Sequence, residues 1–165
     1  MARVYSAFTV AGNRATSNSD DVYIQLAVPA GVNARIKRVN YVDGDGTSTG
    51  LIAESSIRIK LLQTSTTASG TPTAFTPVSR DATGPAAACT VLVRDTSTED
   101  NSPGTITTTF DHISIRNIMN WEYIPRDQLD CITLIGSSTT FFCVVCSKNG
   151  TGVRQKTVSL VWEEF

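Results

Sequence analysis

The chain is poor in the residues from which most catalytic and metal sites are built. A single histidine, His112, serves all 165 residues. That excludes cupin-like metalloenzymes, whose centres need several imidazoles. No G-x-S-x-G elbow occurs, and a Ser-His-Asp triad would have to draw on His112, which lies in the strand-like run FDHISIR. Charged residues make up 18% of the chain, below the roughly 25% of an average protein. Fourteen Lys plus Arg against fifteen Asp plus Glu leave a formal net charge of -1. Such a balance lacks the electrostatic footprint of a nucleic-acid binder, and the one basic cluster, RIKR at 35–38, is too short to supply it. Tryptophan is limited to Trp121 and Trp162, so no sugar-stacking platform is evident.

Long apolar runs are also missing. No stretch approaches the roughly 18 residues that a membrane helix needs. The opening MARVYSAFTVAGNR is interrupted by Ser6 and Thr9 and closed by Arg14, unlike a secretory signal. The expectation is a soluble protein made in the cytoplasm, with reduced cysteines, no cofactor and neither nucleic acid nor membrane as partner.

What is present is threonine, serine and alternation. Short apolar-alternating runs end in turn clusters: RVYSAFTV (3–10), DVYIQLAV (21–28), ARIKRVNYV (34–42), SSIRIKLLQ (55–63) and AACTVLVRD (87–95). In the fourth, Ile57, Ile59 and Leu61 fall on one face, with Arg58 and Lys60 on the other. TITTTFDHISIRN (105–117), LDCITLIG, TTFFCVVCS and KTVSLVWEE complete the set. The Lys148-Asn149-Gly150 step between the last two reads as a hairpin turn, because Asn-Gly supplies positive φ. RNIMNWEYIPRDQL has room for a short helical turn before Pro125. Eight to ten antiparallel strands at this cadence, with little helix, no linker and no repeat, imply one all-β domain over 1–165, a sandwich or barrel.

Three constellations imitate chemistry. Cys143 and Cys146 have the spacing of a zinc or redox pair, but FFCVVC carries no turn, so positions i and i+3 point to opposite faces of a strand. Cys89 and Cys131 are isolated, and core packing explains all four. DGDGTSTGLIAE sets Asp43, Asp45 and Glu54 at positions 1, 3 and 12 of a calcium-type loop. Thr47 and Ser48 stand where that loop needs Asp or Asn and then Gly, so an ordinary inter-strand loop is expected. The acidic groups at 20–21, 43–45, 99–100 and 127–130 sit in turn-like segments where solvation is their ordinary state.

With TPTAFTPVSRDATG at mid-chain, YIPRDQLDCITLIGSSTTFFCVVCSKNG after it and a closing VSLVWEEF, the chain resembles a group of tailed-bacteriophage virion proteins. The match lies at Pro125, Leu129 to Ile135, Thr139 to Cys146 and Val158 to Glu164, roughly the second half of the chain. The resemblance implies a jelly-roll-type β-sandwich on the capsid exterior, a decoration or cement protein. Its partner would be the major capsid protein, and its state a homo-oligomer, often a trimer. Head-fibre and tail-associated sandwiches share the pattern. The alternative is a carbohydrate- or receptor-binding module using Trp121, Tyr123 and Tyr41. A short N-terminal arm (1–10) is a further expectation, with Val4, Tyr5 and Phe8 as interface residues.

Overall fold

A computed structural model describes residues 2–9, 12–15, 20–44, 56–70, 72–81, 83–93, 102–116, 120–148 and 153–165. No helix occurs among them. The described residues form thirteen strands in two antiparallel sheets, packed face to face as a β-sandwich.

The front sheet is built around β13 (Val153–Glu164). One side of β13 pairs with β4 (Asn33–Gly44); the other takes β1 (Arg3–Phe8) and β2 (Gly12–Ala15) end to end. Beyond β4 lie β10 (Trp121–Tyr123) and β11 (Thr133–Ile135), again end to end. The back sheet runs β3 (Asp21–Val28), β12 (Thr140–Lys148), β5 (Ser56–Thr64) and β9 (Ile106–Arg116).

Counting β1 with β2 and β10 with β11 as single strands, first pairs with last, β3 with β12, β4 with β10 and β11, and β5 with β9. The chain is thus four nested antiparallel pairs folded over one core. Three short strands from the connection between β5 and β9 extend one side of the sandwich. β6 (Thr73–Phe75) and β8 (Thr90–Val93) continue the back sheet past β3, and β7 (Val78–Ser79) continues the front sheet past β1. On the other side β9 and the β10–β11 pair are edge strands.

Alternation explains most of the core. Ile59 and Leu61 point inward from β5, with Arg58 exposed and Lys60 bonded to Asp20 at 2.7 Å. β3 departs from alternation, with five consecutive buried residues from Val22 to Leu26. A register shift against β12 causes this: Tyr23 is the extra residue, reaching the main core beside Ile24 and leaving Val22 on the outer face. Trp162 is the largest fully buried side chain, its ring 5.9 Å from that of Tyr5.

A second, smaller cluster covers the outside of the back sheet. Val22, Leu62, Cys143, Val145 and Ala68 form it. The segment 65–70 folds back over that face, and the segment leading into β9 locks it there. Ser65 N donates to Thr105 O at 2.9 Å, Ser69 N to Ser102 O at 3.1 Å, and Thr105 N to Thr66 Oγ1 at 2.8 Å. Beneath the strap Gln25, fully buried, accepts from Ala68 N at 3.4 Å and donates to Cys143 Sγ. The loop expected at TSTTASGTP therefore acts as a lid on a second apolar layer. Gly104 is needed there because a Cβ would collide with Thr66.

Three expectations require correction. The residues of the expected N-terminal arm that are described as strand, 3–8, are β1, clamped between β13 and β7 because alternating Tyr5 and Ala7 bury against the core. The hairpin expected at Lys148-Asn149-Gly150, whose Asn and Gly lie outside the described residues, would pair β12 with β13, but β12 belongs to the back sheet and β13 to the front. Asn-Gly favours a turn but does not choose the pairing partner. The described part of RNIMNWEYIPRDQL is strand β10 and an irregular loop, not a helical turn.

Truncating Trp162 to Ala is expected to cost about 3–5 kcal/mol, read as a lowered urea midpoint. Gly104→Ala is expected to act locally instead. Hydrogen exchange at the Ser65 and Ser69 amides should speed up while the amides of β13 keep their protection.

Candidate functional site

The residues singled out for chemistry are dispersed. Cys143 lies in the outer cluster and Cys146 in the main core, on opposite faces of β12. Cys131 donates to Asp127 O at 3.3 Å, and Cys89 sits below Glu164. All four cysteines are buried and none is in a disulfide. Among the described residues no three His, Cys, Asp or Glu side chains converge as a metal-binding group. Asp43 lies in β4 opposite Lys156, whereas Asp45 and Glu54 lie outside the described residues, as does Asn149-Gly150. His112 is exposed on edge strand β9.

The basic cluster at 35–38 is neutralised in place. Glu163 accepts from Arg35 at 3.2 Å and lies 3.8 Å from Lys37, Arg38 pairs with Glu122, and Ile36 is fully buried between them. The aromatic set disperses likewise. Tyr41 has no exposed surface, and Trp121 and Tyr123 are half-buried against the core. The Tyr123 hydroxyl donates to Asp130 O at 2.9 Å and accepts from Ile132 N at 3.2 Å, which pins the loop 124–132. Burial raises that phenol above its ordinary value, the Ile132 amide opposes the shift, and Cys131, Asp111 and Asp130 add to it. The phenol remains a donor at neutral pH.

The terminal acids act as a clasp. The Glu164 carboxylate accepts from Ala88 N at 2.9 Å, Cys89 N at 3.0 Å and Trp162 Nε1 at 3.1 Å. Arg80 N donates to Val4 O and Tyr5 OH to Pro85 O, so the segment 80–89 is tied across the end of the front sheet. Of the three proposed interface residues, Tyr5 is thus 1% exposed and internal. Val4 is half-buried, and Phe8, at 48% exposure, packs edge-on against Phe75.

Two surface depressions carry unpaired charge instead. The first, of about 330 Å³, opens between the edge strands of the two sheets and is lined by Phe110, Asp111, Tyr123 and residues 130–133. Leu129 (94% exposed) and Ile124 (58%) belong to the loop beside it. The second, of about 430 Å³, lies at the opposite edge of the front sheet, lined by residues 2–4, Arg80, Asp81, Thr83 and Gly84. Val78, 51% exposed, stands two residues from Arg80 on the β7 edge. The Asp81 carboxylate is held below its usual range by the Thr83 amide and hydroxyl, with Arg3 adding to the effect. Sequence reasoning missed these surfaces. Asp111 and Asp130 meet only when the two sheets close, though Leu129 in the polar stretch PRDQLD was a visible sign of an exposed apolar residue.

Comparisons with protein-family models, with curated proteins and with solved structures find no match.

The thiols generate a prediction. With all four buried, native protein at pH 8 is expected to resist a soluble disulfide reagent, and guanidinium should release four reactive thiols. The Cys89 thiol is raised above its ordinary 9.0 first by burial and then by Glu164. Above that pH an unfolded Cys89 ionises while the folded one does not, so the unfolded state gains and the fold loses stability. The urea midpoint should therefore fall between pH 8 and pH 10, and fall less in Cys89→Ala.

Proposed function

We propose that this chain is a structural virion protein of a tailed bacteriophage, a decoration or cement protein that binds the outer capsid shell and stabilises it. The observation that supports this reading most is the nested pairing of eight strands. We read first with last, second with seventh, third with sixth and fourth with fifth as a jelly-roll-type order, the kind of sandwich that the sequence resemblance implies and one on which viral shells are widely built. A shared fold does not by itself carry function. The sequence resemblance supplies the second support, and its closing Trp and acids now have a physical account in the buried Trp162 ring and the Glu164 clasp.

A cement works by many copies, each making a modest contact at a repeated site, so rigidity matters more than any single deep pocket. The strap over the back sheet and the Glu164 clasp support that reading, because they tie long loop segments down against the two sheets. The carbohydrate- or receptor-binding alternative loses support, because the aromatics it would use are buried or half-buried.

Virions of the phage that encodes the chain, purified on a density gradient, are expected to contain it in many copies alongside the major capsid protein. Heads assembled without it should lose their DNA at lower temperature than complete heads. Absence of the protein from purified virions would overturn the reading.

A further inference from the structure

The two depressions lie at opposite edges of the front sheet and carry opposite charge. At the β10–β11 edge Asp111 and Asp130 line the hollow without a cationic partner among the described residues, and Phe110 and Tyr123 form its apolar walls. Asp127 adds negative charge, although its Oδ1 already accepts from the Leu129 and Asp130 amides. Arg126 is an exposed cation of the same loop, and Glu122 is neutralised by Arg38. At the β7 edge Arg3 and Arg80 make no ion pair among the described residues, and the carboxylate near them, Asp81, is occupied by its own turn.

Each charged hollow also has an exposed apolar neighbour. Val78 in β7 and Arg80 just beyond it are both exposed, and Leu129 and Ile124 are exposed in the loop that supplies Asp130 to the acidic hollow. An exposed arginine next to an apolar side chain fits an acidic hollow walled by aromatics, because the guanidinium can ion-pair and stack at once. A leucine 94% exposed is the kind of apolar surface that marks an interaction site when charged groups surround it.

We propose that copies of this chain associate head to tail, the β7 edge of one copy seated on the β10–β11 edge of the next, with Arg80 entering the Asp111–Asp130 hollow. The occupant is a second copy because the same chain carries both halves of the complementary pair. A contact between two different patches is heterologous, and it closes into a ring when its rotation permits. The number of copies is left to the measured mass, and the inference rests on the oligomeric part of the reading above alone. Pairing in this way covers edge strands of the front sheet, which would otherwise present open backbone groups.

The test is a charge swap read by light scattering after size exclusion, with circular dichroism and urea midpoints as controls for folding. Wild type is expected to show one mass, a multiple of 17.7 kDa. Arg80→Asp and Asp130→Arg should each weaken association at least tenfold and shift the mass toward one chain. The double variant Arg80→Asp with Asp130→Arg should restore the assembly, because the pair is re-formed with its signs exchanged. A monomeric wild type, single variants that keep the wild-type mass, or a folded double variant that stays monomeric would each overturn the proposal. An open ladder of masses would overturn ring closure. Capsid binding is scored separately. A ring that ignores capsids removes the cement reading and leaves this inference standing, and a monomer that decorates virions does the reverse.

Discussion

The front sheet depends on one strand that arrives last. β13 lies between β4 on one side and β1 with β2 on the other, so the two halves of that sheet have no contact through neighbouring strands until residues 153–164 are in place. Its side chains then fill the centre of the core, Trp162 most of all. Pairing the first strand with the last makes nearly every contact long-range in sequence, and folds of this kind form slowly. The compensation is rigidity once formed: none of the eight main strands can leave without opening a nested pair.

That constraint also explains how the surface is divided. The connection between β5 and β9 is long because it does two jobs. It closes one side of the sandwich with β6, β7 and β8, and it straps the outer face of the back sheet over Val22, Leu62, Cys143 and Val145. Threonine and serine, so abundant in the chain, lock this strap through short hydroxyl and amide bonds. The other side keeps its edge strands, and there the unpaired acids and the most exposed apolar side chains collect. The reading as an assembling virion component draws on this contrast between a tightly tied body and two unsatisfied edges.

Much of this was legible along the chain. DVYIQLAV coincides with β3 residue for residue, and the opposite facing of Cys143 and Cys146 follows from strand periodicity. The all-β sandwich reading rests on the same alternation, which burial enforces. What escaped was decided by partners distant in sequence. RVYSAF alternates equally well as a docking arm or as a strand, and β13 settles which. Asn149-Gly150 carries a local turn preference, yet its flanking strands find their partners in different sheets. The acidic hollow was hidden for the same reason, since Asp111 comes from β9 of the back sheet and Asp130 from the loop that joins β10 to β11 of the front sheet, and alternation cannot relate them. Buried Gln25 had no signal either, because a polar residue in an apolar run reads as the solvent face until the strap is known to cover it.

The central claim is that this sandwich is a building block of a phage particle, assembled through the edges of its front sheet. Cryo-electron microscopy of the intact virion tests it most directly. The account predicts density for the sandwich on the outside of the shell, in rings where the β7 edge of each copy meets the β10–β11 edge of its neighbour. A shell with no such density, or sandwiches joined through the strapped face of the back sheet, would contradict it.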